Sequence, residues 1–143
     1  MKTKILLFAL FSIMMISCKS VNNKDFNISV TEKYWKLKTL SGKEIKMAEN
    51  QKREIFILLK NEDNRITGFG GCNTINGEYT LKEGNKIEFK KMFSTKMFCP
   101  NTDESEFLKA LNSVDNYTIK DDVLSLNVGK RAPLAVFEAV YMQ

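Results

Sequence analysis

The stretch GFGGCNTINGEY, residues 68 to 79, decides the fold because it places four glycines and a cysteine in one segment. It does not match the dinucleotide-binding fingerprint, since Asn73 stands where the third glycine of Gly-x-Gly-x-x-Gly would be. Glycine within a strand instead marks a bulge or a close approach of another chain segment. Asn73 is suited to bonding nearby backbone, and the pair Asn76-Gly77 is typical of a tight turn. The stretch therefore predicts a bent strand followed by a turn.

The composition excludes most catalytic chemistry. The sequence contains no histidine, which removes Cys-His and Ser-His-Asp nucleophilic sites. Neither Cys72 nor Cys99 lies in a Cys-x-x-Cys pair, and two cysteines without histidine fall short of a structural zinc site. The acidic run 103–106 lacks the ligand spacing of a calcium loop. We therefore expect no catalytic residues, no cofactor and no metal, and an enzyme is the least favoured class.

The N-terminus has the layout of a secretory signal peptide. Lys2 and Lys4 precede the apolar run ILLFALFSIMMI, and Ser17 and Cys18 follow it. The run is shorter than the ~20 residues of a membrane-spanning helix. A small residue followed by cysteine resembles a bacterial lipobox, in which cleavage leaves the cysteine as an N-terminus that carries acyl chains such as palmitate. An ordinary signal cleavage nearby, with an incidental cysteine, is the alternative.

This reading divides the chain into three parts. Residues 1–17 are predicted to be a lipoprotein signal peptide, residues 18–32 an acylated Cys18 with a polar tether, and residues 33–143 a single domain. Removal of the signal peptide lowers the formal charge from +5 to +3 (20 basic and 17 acidic residues). That charge is too mild to predict a nucleic-acid partner. We expect a monomer that is held to a membrane through Cys18.

Export also bears on the two remaining cysteines. In an oxidising compartment an even pair usually forms a disulfide, so a Cys72–Cys99 bond is predicted. Closing a loop of about 28 residues would stabilise the fold by roughly 3–4 kcal/mol. Two separately buried thiols remain the alternative. Met92 and Met97, which flank the second cysteine, are expected to fill the core rather than bind copper.

Most of the domain follows a strand pattern, with alternating or short apolar runs separated by turn residues. Turns are expected at residues 61–64, 83–85 and 120–122. The strand at residues 55–59 should be central, and that at 134–141 should be buried on both sides. The residues expected to share strand faces are Trp35, Leu37 and Thr39; Tyr79 and Leu81; Ile87 and Phe89; Tyr117 and Ile119; and Leu124, Leu126 and Val128.

One segment has helical spacing instead. Asp103 precedes Glu106 by three residues, which is the spacing of an N-cap and capping box. An apolar face follows at helical intervals, formed by Phe107, Leu108, Leu111 and Val114. The sequence therefore predicts a mainly β fold with one helix (α+β): a curled antiparallel sheet or partly closed β-barrel packed on a single amphipathic helix.

Three blocks of sequence form a pattern: GFGGCN at residues 68–73, NGEY at 76–79 and STKMFC at 94–99. Together they resemble the META domain family of HslJ-like bacterial lipoproteins. The similarity extends over about residues 33–138, and the Trp35-x-Leu37 pair and the predicted helix fit the same pattern. The family-motif positions, besides the two cysteines, are Gly68, Gly70, Gly71, Asn73, Tyr79, Thr95 and Met97.

The resemblance implies a small, mostly β domain that is exported or lipid-anchored and has no established catalytic residue or cofactor. Such proteins are linked to heat shock and antibiotic tolerance, and their fold resembles that of a secretion pilotin. Lys19 after the acylated cysteine fits sorting to the outer membrane. The prediction is thus a non-enzymatic lipoprotein of the cell envelope, a stress-related structural or binding module with an unidentified protein or peptide partner. The alternative is a pilotin- or chaperone-like carrier of an apolar peptide or lipid.

Overall fold

The computed structural model describes residues 29–49, 51–99 and 104–141. The predicted signal peptide, Cys18, most of the tether and Asp103 lie outside the described residues. Within the described ranges the protein has nine strands, one turn of 3-10 helix at Glu62–Asn64 and one α-helix. These elements are β1 (Tyr34–Leu40), β2 (Lys43–Glu44), β3 (Phe56–Lys60), β4 (Arg65–Phe69), β5 (Thr74–Lys82), β6 (Lys86–Ser94), α1 (Ser105–Ser113), β7 (Asn116–Lys120), β8 (Val123–Asn127) and β9 (Ala135–Val140).

The strands form one antiparallel sheet that curls back on itself. Strands β3 to β9 pair in chain order, and β1 pairs with both β3 and β9, so that eight strands form a ring. The short β2 pairs with the end of β1. The predicted mainly β architecture with a curled, partly closed sheet and a single helix is therefore confirmed.

The ring is weakest between β6 and β7. These strands share a single residue pair, Lys86 with Asn116, and α1 lies in the connection between them. Polar groups hold the start of β7: the Asp115 carboxylate accepts hydrogen bonds from the Asn116 amide and from the Gly129 backbone N–H at 3.0 Å. These bonds, that from Asn116 first, hold the pKa of Asp115 below its usual value. This polar network therefore ties the start of β7 to the chain just beyond β8.

The interior of the ring is filled with large side chains. The largest fully buried side chains are Trp35, Phe107 and Phe137, and the ring centres of the two phenylalanines lie 6.3 Å apart. The Trp35 indole donates a hydrogen bond of 2.7 Å to the backbone oxygen of Val30, so its one polar atom is satisfied. Within the described residues the ring therefore encloses a packed core.

The helix packs as its spacing predicts. Its buried residues are Phe107, Ala110 and Leu111, with Val114 buried just beyond its end. Leu108 lies at the border of this face and is half-buried. Glu104 occupies the N-cap position without a side-chain capping bond, whereas the proposed capping residue lies outside the described residues.

Two expectations about strand faces are wrong. A register shift between Leu37 and Thr39, where β1 pairs with β9, turns the chain so that Leu40 rather than Thr39 continues the buried face. The last strand is not buried on both sides, because only the face that points into the ring, with Ala135 and Phe137, is fully covered. Its other face lies on the outside of the ring, where nearby side chains shield it only in part.

The predicted turn at Asn76-Gly77 is also wrong. Both residues lie inside the continuous strand β5, and the hairpin turn falls later, at the predicted residues 83–85. The glycine serves packing instead: a Cβ at Gly77 would collide with the Sδ atom of Met92. A bulge in β6 lies opposite this position, with Lys91 at a φ of 49°. A contact from the neighbouring strand therefore explains the glycine.

Candidate functional site: the motif corner

The residues that carry the family resemblance meet at one end of the ring. We call this region the motif corner: residues 70–73 of the loop between β4 and β5, residues 94–99 at and beyond the end of β6, and Glu104. A disulfide joins Cys72 to Cys99, 27 positions apart, with their Cα atoms 5.9 Å from each other. The predicted disulfide is thus present, and it ties the two chain segments covalently.

Asn73 ties the same two segments by hydrogen bonds. Its side chain is 5% exposed, and its Oδ1 accepts from the Met97 N–H at 2.7 Å and from the Thr95 hydroxyl at 2.8 Å. Its Nδ2 donates to the Met97 carbonyl at 3.2 Å. Asn73 does bond backbone, as expected, but that backbone lies 24 positions away. The amide therefore holds both backbone groups of Met97.

Glu104 adds the start of the helix to the corner. One carboxylate oxygen accepts the Asn73 backbone N–H at 3.0 Å, and the other accepts the Ser94 hydroxyl at 3.1 Å. A Cβ at Gly70 would lie only 2.9 Å from this carboxylate, so the glycine leaves room for it. Sequence reasoning missed this role of Glu104, for which the only local signal is an acidic residue directly before the helix.

The other two motif glycines, Gly68 and Gly71, are required by the path of the backbone. A Cβ at Gly68 would collide with the carbonyl oxygen of Phe56 on β3, so the close approach that the sequence predicted is present. Gly71 has a φ of 105°, in a region where residues with a side chain are strained. These positions therefore shape the chain at the corner.

Tyr79 does not belong to the corner. It lies further along β5, where its ring is buried in the core and its hydroxyl donates to the Lys60 carbonyl at 3.0 Å. Burial raises the pKa of Tyr79 above its usual value, and the nearby Glu32 carboxylate adds to the effect. Tyr79 is therefore a neutral core residue with a satisfied hydroxyl.

The corner presents apolar side chains to solvent. Met97 is 59% exposed, so its assignment to the core is wrong, whereas Met92 packs against the core as expected. The reason lies in the backbone, because Asn73 holds Met97 in a segment that has left the sheet. Phe98 is 91% exposed and Phe93 is 59% exposed. Sequence reasoning missed both phenylalanines, although the cluster of apolar residues in MFSTKMF is visible.

A shallow cleft of about 400 Å³ lies beside Phe93 on the outer face of the sheet. Its walls are mostly charged, and Lys91 and Glu78 form an ion pair of 2.8 Å in them. The residues lining it are Asp63, Arg65, Gly77, Glu78, Lys91 and Phe93. The cleft therefore joins a charged strip to the apolar edge of the motif corner.

The polar groups of the corner bond mainly to one another. Among the described residues, no group of three or more His, Cys, Asp or Glu side chains is arranged to hold a metal ion. The part of the chain that the structure describes also contains no helix with the length and apolarity needed to span a membrane. What the corner does physically is clamp residues 95–99 against the loop before β5.

Replacement of Asn73 by alanine is expected to lower the free energy of unfolding by about 2–3 kcal/mol. The variant loses three hydrogen bonds and leaves the N–H and carbonyl of Met97 unpaired at the corner. Urea unfolding of the oxidised protein measures the change.

Asn76→Ala is the matched control. Asn76 lies on β5, shortly after Asn73 in the chain, and its side chain makes no hydrogen bond among the described residues. It should shift the free energy of unfolding by less than about 0.5 kcal/mol. Equal effects of the two substitutions would contradict a clamping role for Asn73.

Comparisons with known proteins agree with this architecture. Residues 28–141 match the META domain. A solution structure of a protein from Burkholderia xenovorans is similar, with a TM-score of 0.62 and 24% identity over 78% of this chain and 84% of that one. A DUF4847 family protein from Bacteroides vulgatus is more distant, with a TM-score of 0.45 and 23% identity over 59% of this chain and 57% of that one. Comparison with curated proteins gives no match. The likeness to the first structure concerns the fold alone, whereas the family match spans most of the chain: this chain belongs to the META domain family.

Proposed function

We propose that this protein is a non-enzymatic lipoprotein of the cell envelope, anchored through Cys18, and that its META domain is a stress-related binding module that works through its outer surface. One observation carries the proposal. The polar motif residues of the corner are engaged with one another, while Met97 and Phe98 present large apolar side chains to solvent where Asn73 holds the backbone. Exposed apolar groups on a fixed support favour binding over chemistry.

Two further features support an envelope location. The basic, apolar and Ser17-Cys18 segments at the N-terminus have the order of a lipoprotein signal. The Cys72–Cys99 disulfide suits a protein that works in an oxidising compartment. Lys19 after the anchored cysteine favours the outer membrane over the inner one.

The filled interior counts against a carrier that holds an apolar ligand inside the ring. Such a carrier needs an open apolar cavity, whereas the space inside this ring is occupied by Trp35, Phe107 and Phe137. The cleft beside Phe93 and the cleft beside Asn112 both have charged residues in their walls. A binding role on the outer surface is therefore the better proposal.

Cys18→Ala tests the anchor. The wild-type chain should fractionate with membranes and carry acyl chains by mass spectrometry, because several acyl chains bind a bilayer stably. The variant should lack the acyl mass and its lipid attachment. Ser20→Ala, which leaves the cysteine in place, is the matched control and should behave as wild type. A wild-type chain without acyl mass would contradict the proposal.

A further inference from the structure

We propose that residues 93–98, the end of β6 and the segment that follows it, here called the apolar loop, insert into the surface of the same bilayer that holds the lipid anchor. This inference rests on the proposed function, since it takes Cys18 as the anchor. The ligand it assigns to the motif corner is a lipid surface with anionic headgroups. The loop would then orient the domain on the membrane rather than leave it free on its tether.

The shape of the loop favours a bilayer over a protein pocket. Phe98 is 91% exposed, and Phe93 and Met97 are each 59% exposed, so these side chains project outward and line no apolar groove of their own. A fluid bilayer interface accepts such projecting groups without shape complementarity. A protein partner would instead have to supply a pocket that matches each of them.

The clamp keeps the apolar side chains outside. The backbone of Met97 is bonded on both sides by Asn73, and Cys99 is tied to Cys72 directly after Phe98. Residues 95–99 therefore cannot fold back onto the core to hide their apolar groups. A loop that is ordered before it binds loses less conformational entropy on insertion.

The charge beside the loop has the sign that an anionic bilayer attracts. Lys96 lies between the apolar residues, is exposed, and has no carboxylate partner among the described residues. Lys90 and Lys91 lie before it, on β6, and pair with the exposed carboxylates of Glu88 and Glu78 at 3.1 and 2.8 Å. A lysine next to Met97 and Phe98 that has no ion pair within the described ranges places a cation at headgroup depth when the apolar groups enter the interface.

The length of the tether permits this orientation. The described chain begins at Ser29, and the 11 residue steps from Cys18 reach roughly 36–40 Å when extended. Its first residues lie beside the end of β3, where Glu32 accepts the Asn61 N–H, and the apolar loop lies toward the other end of the strands. Because a five-residue strand spans only about 17 Å, the tether can run along the domain and still bring the loop to the bilayer.

A tryptophan reporter tests the insertion. The chain has one tryptophan, Trp35, which is fully buried, so Phe98→Trp adds a second indole in a very different environment. The purified lipidated protein is bound to vesicles of phosphatidylethanolamine and phosphatidylglycerol, with or without brominated acyl chains. Bromine should lower the added emission at least about twofold, because the indole lies among the acyl chains. Tyr141→Trp, at an exposed position toward the other end of the strands, should show no such loss.

A charge reversal provides the second readout. Lys96→Glu, combined with the reporter, should reduce the quenching on anionic vesicles, whereas Lys109→Glu should leave it unchanged. Lys109 is the matched control because it is exposed on α1 and undergoes the same change of charge. Equal quenching in the two variants would overturn the role given to Lys96.

The remaining outcomes separate the two proposals. Vesicle-bound protein whose added indole is not quenched would overturn the insertion and leave the anchor intact. Protein that does not sediment with vesicles at all would contradict both the anchor and the insertion. An emission of the added indole that shifts to the blue with rising protein concentration, without vesicles, would show that a second copy covers the loop and would also overturn the insertion.

Discussion

Replacing both Cys72 and Cys99 with alanine is expected to lower the free energy of unfolding by roughly 3–4 kcal/mol. The bond joins residues 27 positions apart, so its loss gives the unfolded chain a large gain in conformational entropy. Urea unfolding at equilibrium measures the change. The urea concentration at the midpoint of unfolding should fall. The unfolding free energy should also depend more steeply on urea, because a chain without the cross-link exposes more surface when it unfolds.

Reduction provides the control for this prediction. A reducing agent should destabilise the wild-type protein by about the same amount as the double substitution, and it should have no effect on the variant. Peptide mass spectrometry without reduction should first show the two cysteines in one linked species. Two free thiols in exported protein, or equal stability of the reduced and oxidised chains, would contradict the clamp.

Phe107→Ala is expected to cost about 3–5 kcal/mol of unfolding free energy. The side chain is 1% exposed and lies against Phe137 in the centre of the core. It also fixes α1 at the point where β6 and β7 share a single residue pair. The substitution therefore removes packing and loosens α1 beside the weakest junction of the ring. Thermal and urea unfolding both report the loss.

Leu108→Ala is the matched control, because it truncates the adjacent residue of the same helix at a half-buried position. Its cost should be closer to about 1 kcal/mol, since less apolar area is removed from the interior. If both substitutions had the same small effect, the buried face of α1 would not be an important part of the core.

Most of the fold could be predicted from local patterns. Alternating apolar residues locate strands such as β6, with Ile87 and Phe89, and the helical spacing of Phe107 and Leu111 locates α1, because each element must turn one face to the core. The prediction of a turn at Asn76-Gly77 is wrong for a reason that no local pattern shows. Gly77 leaves room for the side chain of Met92 on the next strand, and such a contact exists only once the strands are paired.

The sequence predicts which residues belong to the site, but it does not predict how they are arranged in space. The cysteine pair followed from export and from the count of cysteines, and Asn73 stood out within its glycine-rich stretch. Its partner Met97 lies 24 positions away, and Glu104 contributes through tertiary contact. The exposure of Met97 depends on the same contacts. A methionine in sequence carries no sign of whether its backbone is held at the surface.

The central claim is that the family motif is a clamp that holds residues 95–99 rigidly at the surface. Amide hydrogen exchange at Met97 tests it most directly, because this N–H bonds to the Asn73 side chain although it lies outside the strands. We predict that it exchanges at least about 100-fold more slowly than in an unstructured peptide, close to the amides of β5. Phe98, whose amide has no hydrogen bond among the described residues, should exchange much faster. Exchange of Met97 as fast as that of Phe98 in the oxidised protein would contradict the clamp.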